Sequence, residues 1–334
     1  MLEAIAQCTL DDDAFREDAT TNSLQDYIAA RTGHESALLV MSGTMGNQIA
    51  IRTHLAQPPY AVLCDHRAHI ISSEAGGVSA WTGATVVPVT PKNGDYLTLD
   101  DIERSAVISD NIHHCPTKLI SLENTLHGIV MPLDEAQRIV DWAHSNGILV
   151  HLDGARLWEA VVYASGRYSL RDYASTFDSI SVCFSKGLGA PIGSMLVGSS
   201  EFIKRARWFR QSIGGGIRQA GVISSAARVA VDEVFGRDPY GEEGKMSGSH
   251  RRARHIASLW TQRGGQLLKP VQTNMIWLDL DASEVNPSYL REVGRQKGVR
   301  LSASRIVVHY QVSDETVSRL REVFDVVLQW PQQP

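Results

Sequence analysis

The stretch Ser179-Ile-Ser-Val-Cys-Phe-Ser-Lys-Gly-Leu-Gly-Ala-Pro-Ile-Gly-Ser-Met-Leu-Val197 decides how the chain folds. An apolar run, Ser179–Phe184, is followed by a second that starts at Ile192, and only the seven residues 185–191 separate them. A parallel crossover needs a dozen or more residues, so these two strands are predicted to be antiparallel. Elsewhere the opposite rule holds. Upstream runs at Ala37–Met41, Ala61–Cys64, Thr85–Val89, Lys118–Leu122 and Ile148–Leu152 alternate with segments of helical spacing. One such segment is Leu133–Ser145, which Asn146-Gly147 closes with a fitting C-terminal stop. Short apolar strands alternating with helices predict an α/β fold with a mostly parallel central sheet, here carrying one antiparallel strand.

Beyond a helical linker around Ala220–Phe235, the pattern changes. Gly236–Ser249, rich in glycine and charge, reads as an exposed loop. A polar helix over about 245–263, a strand near Thr273–Leu280, a helix near Pro287–Lys297, a strand at Arg305–Tyr310 and a closing helix, Glu315–Trp330, follow in turn. The chain therefore divides into a large α/β domain, 1–235, and a small C-terminal α+β domain, 236–334. No repeat or low-complexity tract interrupts either.

A formal net charge of −5 offers no basic surplus, so neither nucleic acid nor an anionic membrane is the expected partner. No apolar run reaches the 18 or so residues of a membrane helix, and Met1-Leu-Glu-Ala-Ile-Ala6 is not a signal peptide. Cys8, Cys64, Cys115 and Cys183 show no Cys-x-x-Cys spacing and are read as free thiols in a reducing compartment, with the cytoplasm as the default. Two groups, Cys64 with His66 and His69, and His113 with His114 and Cys115, lack a distant second half, so no metal site is expected.

Lysine is scarce, seven residues against 25 arginines, and Lys186 alone directly follows a buried-looking strand. A lysine delivered by such a strand into a glycine-rich turn is expected to be partly desolvated, which favours the neutral, nucleophilic amine of Schiff-base chemistry. Asp153 ends another apolar run 33 residues earlier, on the same expected rim of the sheet. A carboxylate there suits the pyridine nitrogen of pyridoxal 5'-phosphate (PLP), which must stay protonated for the ring to accept electrons; a cap for the following helix suits it equally. Ser42-Gly-Thr44 opens a helical pattern and fits either an anion cup or an ordinary N-cap. Gly214-Gly-Gly-Ile-Arg218 fits a phosphate contact or a flexible turn with a surface arginine. His69, after a strand, fits a neutral imidazole stacked on a ring and handling protons, or a satisfied core histidine.

Taken in chain order, the motifs resemble the low-specificity L-threonine aldolase family, in the aspartate-aminotransferase-like fold (fold type I of the PLP enzymes), and most closely its fungal branch. The carriers are Ser-Gly-Thr-Met-Gly-Asn (42–47), His69 with Glu-Ala-Gly-Gly (74–77), Ser-Leu-Glu-Asn-Thr (121–125) and His-Leu-Asp-Gly-Ala-Arg (151–156). Phe-Ser-Lys-Gly-Leu-Gly-Ala-Pro (184–191), Gly-Gly-Gly-Ile-Arg-Gln (214–219) and Arg-Ile-Val-Val-His (305–309) complete them. The resemblance implies Lys186 as Schiff-base lysine, Asp153 as ring-nitrogen partner and His69 as ring-stacking histidine. It implies a phosphate site at Ser42, Gly43, Thr44 and Arg218, and a substrate carboxylate clamp from Arg156 and Arg305. It also implies a homodimer or homotetramer with the active site at the subunit boundary.

Three departures qualify the transfer. Nothing matches the family's opening Asp-x-Arg-Ser-Asp-Thr, whose serine helps hold substrate; the chain starts where the first helix would be under way, so a raised KM is expected. The Asp-Asp-Val-Tyr-Gly stretch becomes Asp12-Asp-Ala-Phe-Arg16. The histidine that follows Glu-Asn-Thr in many members is replaced by Leu126, which leaves His127 to fill that catalytic role from one position later. The implied activity is retro-aldol cleavage of L-threonine or L-allo-threonine to glycine and acetaldehyde. An alanine racemase on the same scaffold is the main alternative, ahead of a β-eliminating enzyme and a non-catalytic PLP-binding subunit.

Overall fold

In a computed structural model, which describes residues 1–329, seven strands form one sheet. They are β1 (Ser36–Val40), β2 (Ala61–Asp65), β3 (Thr85–Val89), β4 (Thr117–Glu123), β5 (Leu149–Gly154), β6 (Ser179–Cys183) and β7 (Ser194–Gly198), in the order β1-β7-β6-β5-β4-β2-β3. Only β7 runs against its neighbours, pairing antiparallel with both β1 and β6. The remaining ladders are parallel. Two successive reversals restore direction, so β1 runs the same way as β2–β6, and all six deliver their carboxyl ends to one rim. The short link after β6 does what its length dictates: Phe184 N donates to Gly193 O and Gly189 N to Lys186 O, with Gly189 in the left-handed region at φ +76°.

Every residue of β2, β6 and β7 is buried, as helices on both faces require. On one face, Leu38, Val40 and Leu196 pack against Ile49 and Ala50 of the helix Gly43–His54, and against Phe202, Ile203 and Ala206 of Ser200–Ser212. The helix at Leu133–Ser145 has the predicted bounds, and Gly147 beyond it adopts φ +67°.

The chain falls into two compact units, one made of residues 1–126 and 130–244, the other of residues 127–129 and those from Lys245 onward. The second unit holds β8 (Gln266–Leu267), β9 (Met275–Asp279) and β10 (Arg305–Val307), antiparallel in the order β10-β9-β8. Helices Met246–Thr261, Pro287–Gln296 and Asp314–Gln329 accompany them. β8 was not among the expected strands, its two residues being too few to show alternation, and β10 is shorter than the expected Arg305–Tyr310. Trp330, expected to end the last helix, lies outside the described residues. Of the expected loop Gly236–Ser249, residues 236–245 carry no helix or strand and several are exposed, whereas its end is helical and Gly241 is buried. The last four residues of that stretch start the helix at Met246, and a side chain at Gly241 would lie 2.7 Å from both Phe235 and Val162.

Trp260 anchors the second unit's core, fully buried and edge-on to Phe324 with ring centres 5.0 Å apart. Trp260→Ala is expected to cost about 3–5 kcal/mol, read as a lowered midpoint for that unit's transition in urea. Among the described residues no helix is long and apolar enough to cross a membrane.

Candidate active site

The common rim gathers side chains from five strand ends. After β1, Ser42 caps the helix Gly43–His54: its Oγ accepts from Met45 N at 3.1 Å and its carbonyl from Gly46 N at 3.0 Å. The amides of Gly43 and Thr44 are left as the donors that any helix start presents. Glycine is required at 43 and 46, where a Cβ would lie 2.9 Å from Cys183 Sγ and 2.7 Å from Ser181 Oγ. This close approach seats the helix start against the end of β6. The ordinary N-cap and the anion cup are thus compatible readings of the same residues.

After β2 comes His69. Its backbone N–H donates to Glu123 Oε2 at 2.9 Å, and its Nδ1 lies 2.8 Å from Glu74 Oε1. The hydrogen bond from Glu74 raises the imidazole pKa above its usual value, against the opposing effect of partial burial. The ring is therefore tipped toward its charged form, whereas a neutral imidazole was expected. Glu74 is buried, and its Oε2 has no hydrogen-bond partner among the described residues.

Glu123 ends β4 directly across from Asp153 on β5. Burial, and then the charge of Asp153, push the Glu123 carboxyl up to about 8, so it carries a proton at neutral pH. Asp153 is buried and accepts from Ala155 N at 3.0 Å and from Asn47 Nδ2 at 2.7 Å. It does not cap the next helix, whose N-cap is Arg156 with no side-chain cap.

Lys186 stands three residues past β6. The expectation of partial desolvation needs correction, because Lys186 is exposed: it sits in the turn at the open rim, not in the buried strand. Its charge still reaches inward, opposing protonation of His69 and Glu123 and offsetting part of the effect of burial on Cys183. Arg156, half-buried, acts on Cys183 in the same sense.

Three expected residues sit elsewhere. Arg218 is exposed, 3.1 Å from Asp12 Oδ2, and lines a surface cavity of about 990 Å³ with Phe15, Arg207 and Trp208. The altered stretch Asp12–Arg16 supplies that partner; its next residue, Asp13, is fully buried 2.8 Å from Arg210. Arg305 and His127 belong to the second unit, where both attend Trp277. The Arg305 guanidinium lies 5.9 Å from that ring's centre, the His127 ring 5.2 Å away, and Trp277 Nε1 donates to His127 O.

Asn47, Glu74, Glu123 and His151 line or support the rim, yet no chemical role was read for them in the sequence. The only signal was their place inside the quoted motifs. His69, Glu74 and Asp153 bring potential ligand atoms within 4.8 Å of one another, the one such cluster among the described residues. Asn47 and the His69–Glu74 contact already engage those atoms. A lysine, a buried carboxylate, an imidazole and a helix start tight against β6 are the donor set that PLP requires.

The model of the family named Beta-eliminating lyase matches residues 1–283. The chain belongs to the beta-eliminating lyase family. Within it, this lyase-family chain is 52% identical to "Aldolase vrtJ" of Penicillium aethiopicum over 98% of its own length and 82% of that protein's. It is 44% identical to the "Low-specificity L-threonine aldolase" of Eremothecium gossypii, covering 96% and 82% of the two chains. It is also 44% identical to "Alanine racemase TOXG" of Cochliobolus carbonum, covering 98% and 84%. Among solved structures, a Leishmania major threonine aldolase superposes with a TM-score of 0.81 at 20% identity, over 98% of this chain and 95% of that one. That last likeness concerns the fold.

Proposed function

We propose that this beta-eliminating lyase family member is a PLP-dependent aldolase that cleaves L-threonine or L-allo-threonine to glycine and acetaldehyde. The observation that carries the reading is the meeting of Lys186, Asp153 and His69 on one rim of the sheet beside the helix start at Ser42. Relatives named threonine aldolase at 42–44% identity support it.

When bound, PLP would supply an electron sink for the pair left at Cα when a substrate bond breaks. Lys186 would hold its aldehyde carbon, Asp153 would hold a proton on its ring nitrogen, and Gly43 and Thr44 amides with the Ser42 hydroxyl would receive its phosphate. Arg218 would join the phosphate site from an exposed position, and Arg156 and Arg305 would grip the substrate carboxylate. That grip fixes which bond at Cα is aligned for cleavage. His69 has Nδ1 committed to Glu74, so Nε2 is the nitrogen that takes the β-hydroxyl proton while Cα–Cβ breaks and the aldehyde leaves. His127 would assist at the hydroxyl. A proton then returns to Cα to give glycine.

We further propose that the first unit is the cofactor-binding domain and the second the small domain, that the protein works as a homodimer or homotetramer with its site at the subunit boundary, and that it resides in the cytoplasm. Four free cysteines support that location.

Incubating the PLP-loaded protein separately with L-threonine, L-allo-threonine and L-alanine tests the reading. Acetaldehyde with equimolar glycine is expected from at least one hydroxy amino acid. D-alanine from L-alanine, with no acetaldehyde, would instead establish the racemase reading, which the Cochliobolus relative favours.

Glu74→Gln gives a second check. Glu74 raises the His69 pKa, so its removal lowers that pKa. The base is active when unprotonated, so the acid limb of kcat/KM should move to lower pH. An unmoved limb would take His69 out of the proton-transfer role.

A further inference from the structure

A chain of hydrogen bonds leaves the site through Asn47 and buried His151 and ends at the half-buried His54. Asn47 Nδ2 lies 2.7 Å from Asp153 Oδ2 and 2.9 Å from Glu74 Oε1. On its other side, Asn47 Oδ1 is 3.2 Å from His151 Nε2. His151 Nδ1 is 2.8 Å from Ser179 Oγ, which is 2.6 Å from His54 Nε2. Asn47, His151 and Ser179 are fully buried, and the His54 ring stacks on Phe202 at 4.5 Å.

The geometry sets the direction of every hydrogen. On one side the amide nitrogen of Asn47 faces one oxygen of Asp153 and one of Glu74, and an amide nitrogen only donates. The amide must therefore turn both N–H groups toward them, leaving Oδ1 as an acceptor. His151 must then carry its hydrogen on Nε2. Burial keeps this imidazole neutral, holding it down to about 3, so Nδ1 is bare and takes the Ser179 hydroxyl hydrogen. Ser179 has no second hydrogen, which makes His54 Nε2 the donor to its oxygen; burial holds His54 neutral too, down to about 4.

We propose that Asn47 and His151 are positioning residues for Asp153, and that His54, Ser179, His151 and Asn47 form a one-directional chain whose donors all point toward the Asp153 carboxylate. Aligned donors polarise one another and favour the charged form of the terminal acceptor. The chain thus sets a donor, and not a second acceptor, against the Asp153 carboxyl in a site it shares with Glu74. The bearing of this on catalysis rests on Asp153 being the ring-nitrogen partner; the direction of the chain does not.

Two measurements test it. Ring-nitrogen NMR of the unaltered PLP-loaded protein should show His151 and His54 each with a protonated Nε2 and a bare Nδ1, unchanged from about pH 6 to about pH 9. A hydrogen on His151 Nδ1, or a charged His151, overturns the chain whatever the enzyme's reaction proves to be. The second compares His151→Gln, which keeps a donor for Asn47 and an acceptor for Ser179, with His151→Leu, which keeps neither. At equal PLP content, the glutamine variant should hold kcat and the pH midpoint of the visible absorption. The leucine variant should lose about tenfold in kcat, the equivalent of about 1.4 kcal/mol, and shift that midpoint, with KM unchanged. Identical kcat and midpoint in the two variants would reduce His151 to packing.

Discussion

Lys186→Ala is expected to leave a folded protein that turns over at least about a thousandfold more slowly, a loss of about 4 kcal/mol or more in the transition state. The fold should survive because Lys186 is exposed in the turn beyond β6, and its amine makes no hydrogen bond or ion pair among the described residues. Surface substitutions of that kind fall within about 0.5 kcal/mol of neutral. Turnover should not survive, because the one other lysine that follows a carboxyl end of this sheet, Lys92, stands beyond the edge strand β3, four places from β6 in the strand order. The parent protein, loaded with PLP, should absorb visible light, and borohydride should fix the label at Lys186. The alanine variant should show neither. Label at another lysine, or turnover within tenfold of the parent, would remove Lys186 from the mechanism.

Asp153→Asn should be nearly as damaging for a different reason. The parent carboxylate uses both oxygens, one for Ala155 N and one for Asn47 Nδ2. An asparagine has a single oxygen, so its amide N–H₂ must face one of those two donors. That conflict costs about 1–3 kcal/mol of stability. More consequentially, the negative charge next to the ring nitrogen is lost. At full PLP occupancy kcat is expected to fall by about a hundredfold or more, equivalent to about 2.7 kcal/mol, with PLP still bound through Lys186 and the helix start. Near-parental kcat in a PLP-saturated Asp153→Asn protein would contradict the assignment.

Most of the sheet was legible in the sequence because its inner strands are buried on both faces and appear as largely apolar runs, while the part-exposed edge strand β3 was legible from its three valines. The reversal of β7 was legible from length alone, since the link 185–191 could not carry a parallel crossover. β8 was not legible, because two residues carry no period. The chemistry divides along the same line. Lys186 and Asp153 could be found because each ends or follows a recognisable strand. Asn47 could not be given its part, because its partners Asp153 and His151 lie 106 and 104 residues away. Only the folded chain shows that its amide faces two carboxylates. The exposure of Lys186 and the Asp12 pairing of Arg218 belong to the same class, since a side chain's direction at a loop is set by neighbours distant in sequence.

The reversal of β7 also sets an order of events during synthesis. β1 is an edge strand whose sole partner in the sheet is β7, and their pairing joins Ser36 to Gly198 across 162 residues. A nascent chain that has emerged only as far as β6 holds the runs for β2–β6 but leaves β1 without its hydrogen-bonded neighbour. The helix start at Ser42 follows that strand directly and lies against the end of β6, so the strand that carries it is held in the sheet only once β7 joins β1 to β6. Closing so long a loop is entropically costly and slow. On the proposed assignment of Ser42–Thr44 as the phosphate site, that site is therefore completed in a single late step, together with the placement of Lys186 in the turn that β7 closes. A nascent chain stopped before Ser194 should retain no PLP.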